Sequence, residues 1–285
     1  MREVRLQVTI PNLCGYRNIL NLAPMSALVS IVMPSYNTGR FIAESIRSVM
    51  AQTYTNWELI IVDDCSDDDT KTVVDSLCYA NEDQHLLSQI RFIRNEKNHG
   101  AAYCRNIAIR EARGKYIAFL DSDDLWEPQK LSHQVRFMEK AHIHFSYTRY
   151  REIDQDGNEV GSVISGPRVI GKAGMFNYCW PGCLTVMYDR EFVGEVQIAE
   201  IKKNNDYAIW LKIIQKANCV LLRETLASYR KRSGSISRQS KLSLIKWHYR
   251  LYREAEGMNS ISSLWITLRN LFFGVMKKFL YVGRG

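Results

Sequence analysis

Residues 116–124 read Tyr-Ile-Ala-Phe-Leu-Asp-Ser-Asp-Asp, an apolar run that ends in three carboxylates. Such a run is typical of a strand that is buried on both faces of a sheet. Asp121 and Asp123 are two positions apart, and in an extended backbone that spacing points both side chains to the same side. A helix start ahead of Pro128 would explain Asp124 but not all three acids. Because like charges repel, we interpret the cluster as a site for a cation.

Three further apolar runs precede this strand and alternate with helical patterns. The predicted strands are 28–33, 57–62 and 90–93, and the predicted helices are 41–50, a helix opened by 65–70, and 101–113. This alternation is typical of α/β proteins with a parallel sheet. In such sheets ligands bind outside the carboxyl ends of the strands. The sequence therefore predicts that the polar segments 34–37, 63–64 and 121–124 face one crevice.

Neither G-x-G-x-x-G nor G-x-x-x-x-G-K-[ST] occurs, so no glycine-rich motif supplies a phosphate site. Carboxylates can do so by holding a divalent metal ion, because Mg²⁺ binds one or two carboxylates together with phosphate oxygens. We therefore predict that Asp121, Asp123 and Asp124 hold Mn²⁺ or Mg²⁺ and that the metal holds a diphosphate. The acids at 67–69 are instead predicted to be solvated residues in the first turn of a helix.

The composition of the 285-residue chain, with 46% hydrophobic and 24% charged residues, is that of a globular protein. Its formal net charge of +8 is densest after residue 200, which favours local anionic partners such as phosphate or lipid over nucleic acid. The seven cysteines include no C-x-x-C pair and are predicted to be reduced thiols of a cytoplasmic protein. Residues 1–27 lack the core of a signal peptide, and 258–268 is far shorter than a membrane span.

Four segments together resemble the nucleotide-sugar-binding half of a family 2 glycosyltransferase with the GT-A fold. They are 29–37, 61–66, 98–106 and 114–124. The resemblance implies a Rossmann-like fold, with a mostly parallel central sheet flanked by helices, and an inverting enzyme that uses a UDP-sugar. It also implies a nucleotide site in which Asp64 contacts uracil, Asp121 and Asp123 form the D-x-D motif, and the other contacts come from Pro34, Tyr36, Asp63 and Arg105.

The second half of the chain is less regular, with strands predicted at 143–148, 160–164 and 184–188. A helix begins near Asp206, which would serve as its N-cap on local chemistry alone. The resemblance implies a different role, because 205–211 matches the family motif E-D-x-x-x-W-L, in which the Asp is the catalytic base. Asn205 stands in place of the Glu, which puts the choice of acceptor in doubt.

The segment 229–237 resembles the family pattern Y-R-x-x-x-x-S-x-S that closes the domain. Arg230 and Arg232 would then contact the diphosphate and stabilise the leaving group. A solvated basic loop is the alternative.

The chain from residue 238 extends beyond the family core as an amphipathic helix. Its broad apolar face consists of Ile261, Leu264, Trp265, Leu268, Phe272, Phe273, Val275, Met276, Phe279 and Leu280. Its narrow polar face consists of Thr267, Asn270, Gly274, Lys277 and Lys278. This pattern suits a helix that lies on an anionic membrane surface. It equally suits a helix packed on the catalytic domain or on a second subunit.

The sequence thus predicts an N-terminal tail (1–27) that need not be ordered, a nucleotide-sugar-binding half (28–125), an acceptor-binding half (126–237) and a helical extension (238–285). The expected partners are a nucleotide-sugar donor and a glycan or lipid-linked saccharide acceptor. The expected location is cytoplasmic, with attachment to the inner face of the plasma membrane as an open option. Two alternatives remain, a catalytically inactive nucleotide-binding relative and a sugar-nucleotide pyrophosphorylase.

Overall fold

A computed structural model describes residues 27–80, 84–199, 201–232 and 241–284. Of the tail predicted over residues 1–27, only residue 27 lies within these ranges. Residues 233–237 of the predicted basic segment also lie outside the described residues.

The first half of the chain alternates strands and helices, as predicted. The strands are β1 (Val29–Ser35), β2 (Trp57–Asp63), β3 (Ile90–Arg94) and β4 (Tyr116–Phe119), and the helices are α1 (Gly39–Met50), α2 (Thr70–Ala80), α3 (Gln84–Ser88) and α4 (Ala101–Glu111). β1 pairs in parallel with β2 and β4, and β2 pairs in parallel with β3. Every residue of β1, β2 and β4 is buried, which explains why these strands read as apolar runs.

Side chains on the two faces of β1 enter two separate apolar cores. Ile31 packs in the core that contains Ile46 of α1, whereas Val32 packs in the core that contains Ile109 of α4. The alternation of side chains along an extended strand produces this division. Helices therefore cover both faces of the parallel sheet, as expected for an α/β protein.

The second half continues the same sheet with mixed strand directions. Its strands are β5 (Leu125–Trp126), β6 (Phe145–Ile153), β7 (Glu159–Ile164), β8 (Val169–Ile170), β9 (Met187–Asp189), β10 (Cys219–Arg230) and β11 (Val282–Arg284). β9 joins the halves, because it pairs antiparallel with both β4 and β6. Over the described residues the strand order is β11-β7-β6-β9-β4-β1-β2-β3, and β10 pairs with β5, β6 and β8 beside this path. The sheet is thus parallel in its first half and largely antiparallel beyond it.

Four helices connect the strands of the second half. They are α5 (Lys130–Lys140), α6 (Lys172–Asn177), α7 (Arg190–Val193) and α8 (Asn205–Ile213). The observed strand β9 starts at Met187, later than the strand predicted at 184–188, because a 3₁₀ turn occupies Cys183–Thr185. Thr185 closes this turn, since its backbone N–H and its hydroxyl both donate to the carbonyl of Gly182, at 3.0 and 2.7 Å.

The C-terminal segment is helical, as predicted, and ends in a strand that was not predicted. α9 (Lys241–Arg250) continues into a π-helical turn (Leu251–Ala255), and α10 (Ser260–Leu280) follows. β11 then pairs antiparallel with β7, so this segment returns to the sheet. Within the described part of the chain, no helix has the length and apolar character needed to cross a bilayer.

Candidate active site

The carboxyl ends of β1, β2 and β4 lie at one edge of the sheet and carry the polar segments predicted to meet there. The backbone N–H of Asp64 donates to the carbonyl of Ser35 at 2.8 Å, which ties the first two segments together. The N–H of Leu120, just before Asp121, donates to the carbonyl of Val32 at 3.1 Å. Pairing between adjacent parallel strands therefore brings the predicted polar segments together at one edge of the sheet.

Asp63 and Asp64 use their carboxylates to hold neighbouring loops. Asp63 is fully buried and accepts from the hydroxyl of Ser66 at 2.5 Å and from its backbone N–H at 3.1 Å. Asp64 accepts from the Asn95 side chain at 2.9 Å and from the two N–H groups of residues 99–100 at 2.9 and 2.6 Å. The Cys104 thiol also bonds Asp64, so these donors already use about all four acceptor sites of the carboxylate. Its contact with uracil stays a prediction.

Pro34 and Tyr36 differ in their access to the crevice. Pro34 lies within β1, pairs with Val62 and is buried. Tyr36 follows the strand, and 47% of its surface is exposed. Of these two predicted nucleotide contacts, Tyr36 is therefore the one that presents its side chain to solvent.

The acids at 67–69 are exposed, as predicted, but they precede the helix, so their placement in its first turn is wrong. α2 begins only at Thr70. Asp68 instead accepts from the N–H of Gly39, at the start of α1, at 2.9 Å, and from the N–H of Thr70 at 3.0 Å. These bonds join the loop after β1 to the loop after β2. The acids thus shape the rim of the crevice.

Asp121 and Asp123 follow β4, and an arginine pairs with each. Arg105 of α4 donates from Nη2 to Oδ1 of Asp121, and Nε of Arg232 lies 2.6 Å from Oδ2 of Asp123. Burial raises the pKa of Asp123; Arg232 opposes this shift, and the charge of Asp121 adds to it. The two carboxylates therefore repel each other despite their arginine partners.

This donor set suits a metal ion that also binds phosphate. Mg²⁺ uses one or two carboxylates and completes its shell with phosphate oxygens and water. Asp121 and Asp123 supply two carboxylates whose side chains keep 32% and 16% of their surface exposed. Residues 27–80, 84–199, 201–232 and 241–284 contain no group of three His, Cys, Asp or Glu side chains that could hold a metal ion. Asp121, Asp123 and Asp124 are thus not a preformed three-carboxylate site.

Asp124 and Arg230 are structural residues in this fold. Asp124 is 1% exposed and accepts from the backbone N–H of Arg230 at 2.9 Å. The guanidinium of Arg230 is also buried; it donates to the carbonyls of Asp123 and Gln155 at 2.8 and 3.1 Å and pairs with Glu44 at 2.6 Å. The predictions that Asp124 binds metal and that Arg230 contacts diphosphate are therefore wrong, because both groups face inward and are already bonded.

Arg105 bridges the acidic motif to helix α8. Its Nη1 donates to Oδ1 of Asn205 while its Nη2 donates to Asp121, and 6% of its side chain is exposed. The sulfur of Cys183 lies 3.6 Å from the same Nη2. The structure places Arg105 in the predicted crevice and adds that it contacts both halves of the domain.

Asp206 lies in the first turn of α8, where Asn204 takes the N-cap position, so the N-cap interpretation of Asp206 is wrong. Its Oδ1 accepts from the N–H of Tyr207 at 2.8 Å. Burial raises the pKa of Asp206, and the Arg105 guanidinium opposes that shift. A half-buried carboxylate with a raised pKa is a stronger proton acceptor than a solvated one. Its role as catalytic base stays a prediction.

Sequence reasoning missed the contacts that hold the site together. For Arg105 a signal existed, because it lies on the same helical face as Ala102 and Ala108, which are both buried. A charged residue on a buried face is expected to have a partner. No local pattern marks Glu44 as the partner of Arg230, which is 186 positions away.

Comparisons with known proteins place the chain among bacterial transferases. Residues 30–185 match the family model of Glycosyl transferase family 2. TuaG of Bacillus subtilis strain 168, assigned to teichuronic acid biosynthesis as a glycosyltransferase, is 38% identical over 239 residues, which cover 84% of this chain and 92% of TuaG. WfaP of Escherichia coli, a UDP-Glc:alpha-D-GlcNAc-diphosphoundecaprenol beta-1,3-glucosyltransferase, is 40% identical over 222 residues, which cover 77% of this chain and 83% of WfaP.

Solved glycosyltransferases share the fold at lower identity. TarS 1–349 of S. aureus, in complex with UDP-GlcNAc, has a TM-score of 0.65 and 20% identity, covering 88% of this chain and 74% of that one. The mannosyltransferase PcManGT of Pyrobaculum calidifontis, in complex with GDP-Man and Mn²⁺, has a TM-score of 0.58 and 15% identity, covering 87% and 75%. The predicted GT-A fold is confirmed.

Proposed function

The chain belongs to glycosyl transferase family 2, and from that premise we propose that it transfers a sugar from a UDP-sugar to a hydroxyl of a lipid-linked saccharide, with inversion at the anomeric carbon. The observation that carries this proposal is the Arg105 bridge, which joins Asp121 of the acidic motif to the turn that bears Asp206. A donor-binding motif and a proton acceptor thus share one crevice.

The donor and acceptor classes are inferred from relatives. The name of WfaP gives a UDP-Glc donor and a GlcNAc-diphosphoundecaprenol acceptor for that protein, at 40% identity to this chain. TarS, which shares the fold, is solved with UDP-GlcNAc. Both support a uridine nucleotide, and the first supports an acceptor attached to a lipid diphosphate.

The donor diphosphate would lie beside the acidic motif. A divalent metal ion bound by Asp121 and Asp123 would supply positive charge to neutralise the diphosphate. Arg232, which pairs with Asp123 and keeps 28% of its side chain exposed, would add a second positive charge as the diphosphate leaves. Tyr36, exposed at the end of β1, would contact the nucleoside.

Asp206 would act as the general base. It takes the proton of the acceptor hydroxyl, whose oxygen bonds to the anomeric carbon while the bond from that carbon to the diphosphate oxygen breaks. The electron pair of that bond leaves on UDP. Attack from the face opposite the leaving group inverts the anomeric configuration. A positioned base of this kind contributes about 10²- to 10⁴-fold in rate.

Asn205 would keep Arg105 between two partners. As a neutral amide it accepts from Arg105 without adding a third negative charge near Asp121 and Asp206. A Glu at this position would compete with Asp121 for the guanidinium. Asn in place of the family's Glu at position 205 would therefore favour the pairing of Arg105 with the acidic motif.

Titration calorimetry with UDP, GDP, CMP and dTDP, each with Mn²⁺, Mg²⁺ or chelator, tests the donor site. We expect UDP to bind in a metal-dependent way and the Asp121→Asn/Asp123→Asn variant to lose that binding. Asp75→Asn/Asp156→Asn is the matched control, because both of these acids pair with basic side chains at the surface. Folded protein that binds none of the four nucleotides would contradict the donor assignment. Binding of UDP without any transfer would favour a catalytically inactive relative.

A further inference from the structure

Helix α10 packs against the protein through a side that combines its polar residues with the partly buried Ile266 and Phe273. The buried residues of this helix are Ser263, Thr267 and Asn270. Its exposed side carries eight large apolar residues with 51 to 83% of their surface exposed: Ile261, Leu264, Trp265, Leu268, Phe272, Val275, Phe279 and Leu280. At a rise of about 1.5 Å per residue these positions form a stripe about 29 Å long, which we call the apolar stripe. The stripe is part of the apolar face predicted from the sequence, and it does not pack on the catalytic domain.

Hydrogen bonds on the buried side fix this orientation of the helix. The hydroxyl of Thr267 is satisfied within the helix, by the carbonyl of Ser263 at 2.7 Å, so the bonds that set the orientation are those of Asn270. The side-chain amide of Asn270 donates to the hydroxyls of Tyr207 and Tyr252, both at 3.3 Å. Rolling the helix to bury the stripe would break the Asn270 bonds and expose these groups. The stripe is therefore a stable feature of the surface.

The surface beside the stripe is positively charged. Residues 241–284 contain eight Lys and Arg against two acids, a net +6 out of the formal +8 of the chain. A cavity of about 580 Å³ between α9 and α10 is lined by Lys246, Arg250 and Arg253 together with Leu264 of the stripe. One acid, Glu254, also lines it and pairs with Arg250 at 3.1 Å. The cavity thus joins cations directly to the apolar stripe.

We infer that this surface binds an anionic lipid bilayer. The stripe would enter the boundary between headgroups and acyl chains, and the cations would lie at the phosphates, which is how interfacial amphipathic helices bind. A second copy of the chain is a poorer occupant. In a two-fold contact each copy would set the same net +6 segment against its own image.

The lipid-binding surface is connected to the candidate active site. Asn270 bonds Tyr207, the residue after Asp206. Lys277 donates to the carbonyl of Trp180 at 2.9 Å, in the segment that leads to Cys183. A bilayer on the stripe would therefore hold the Asp206 turn at a fixed position relative to a lipid-linked acceptor. Only this last step rests on the proposed function, because lipid binding itself requires no substrate.

Co-sedimentation with vesicles tests the inference. We expect the full chain to bind vesicles of phosphatidylcholine mixed with phosphatidylglycerol, and to bind phosphatidylcholine alone far more weakly. The Trp265→Ser/Phe272→Ser variant should bind the mixed vesicles about 100-fold more weakly, at about tenfold for each large side chain. Tyr79→Ser/Phe192→Ser is the matched control, since these aromatics are 92% and 52% exposed elsewhere, and it should bind as the wild type does.

A second pair of variants tests the charge. Lys246→Glu/Arg269→Glu should weaken binding to the mixed vesicles at least about 25-fold, from about fivefold for each cation near an anionic surface. Arg136→Glu/Lys140→Glu makes the same change of charge on exposed positions of α5 and should have little effect. Raising the salt concentration should reduce binding of the wild type by a larger factor than binding of the charge-reversed variant.

Two results would overturn the inference. One is equal binding of wild type and Trp265→Ser/Phe272→Ser to the mixed vesicles. The other is a wild-type dimer in sedimentation velocity that becomes a monomer in this variant, with no vesicle binding by either, since a second copy would then occupy the stripe. UDP calorimetry on the same samples separates these outcomes from a failure of the proposed function, because nucleotide binding does not involve the stripe.

Discussion

The first half of the sheet and helix α10 use polarity in opposite ways. In β1, β2 and β4 every residue is buried, and the polar groups that carry chemistry follow the strands at one edge. In α10 the polar residues Thr267 and Asn270 are buried while large apolar side chains face solvent. Both faces of such a strand are buried, so an apolar run in the sequence is enough to predict where its side chains lie. A helical pattern defines two faces but not which one meets the protein.

The largest expected effect is at the bridge between the two halves of the domain. Arg105→Ala leaves Asp121 and the amide of Asn205 without their common partner in a buried site. We expect a loss of about 3–5 kcal/mol in the free energy of unfolding and at least about 100-fold in transfer rate. Urea denaturation and initial rates measure the two losses. A variant with unchanged stability would show that the bridge is not formed.

A core strand should be nearly as sensitive. Ile60 of β2 is fully buried, so Ile60→Ala should cost about 2–5 kcal/mol of unfolding free energy through lost contacts and a residual cavity. Chemical denaturation measures this. A cost below about 1 kcal/mol would mean that the sheet repacks easily at this position and would weaken the contrast with α10.

Asn270 tests whether the polar side of α10 is truly its packing side. Asn270→Ala removes two hydrogen bonds to the hydroxyls of Tyr207 and Tyr252 in a buried location. We expect the free energy of unfolding to fall by about 1–3 kcal/mol, which would be measured as a lower thermal midpoint. An unchanged midpoint would indicate that α10 packs in another orientation.

Lys277, on the same helix, provides a test by pH. Burial lowers its pKa from 10.5 to about 8, and Cys179 opposes that shift. Below pH 8 the folded protein must hold a buried charge. Between pH 8 and 10.5 the unfolded chain binds more protons, so stability rises with pH in this window, by up to about 1.4 kcal/mol per pH unit. The thermal midpoint of wild type should therefore rise relative to that of Lys277→Met from pH 7 to pH 10. A constant difference between the two midpoints would contradict the burial of this amine.

The smallest effect is expected on the apolar stripe. Phe272 is 61% exposed, so Phe272→Ser should change the free energy of unfolding by no more than about 0.5 kcal/mol. Removing a large aromatic residue would then cost less than removing the amide of Asn270. A loss above about 2 kcal/mol in lipid-free buffer would show that the stripe packs on the protein.

The sequence predicted the features that depend on local patterns and missed those that depend on contacts between distant residues. The parallel strands and their polar ends were predicted because each is a local apolar run with a local boundary. The roles of Arg230 and Asp124 were not predicted. Arg230 bonds both Glu44 and Asp124, and only the tertiary structure brings these residues together. The position of the acids at 67–69 was misassigned for a similar reason, since Asp68 bonds the N–H of Gly39 at the start of the distant helix α1 as well as that of Thr70.

The most direct test of the proposed mechanism is the anomeric configuration of the product. Proton NMR would be recorded on the saccharide formed from UDP-glucose and a short-chain lipid diphosphate of GlcNAc, with wild type and Asp206→Asn. We expect a β-linked product from the α-linked donor, and a rate about 10²- to 10⁴-fold lower for Asp206→Asn with UDP binding retained. An α-linked product, or an Asp206→Asn variant as fast as wild type, would contradict the proposed mechanism.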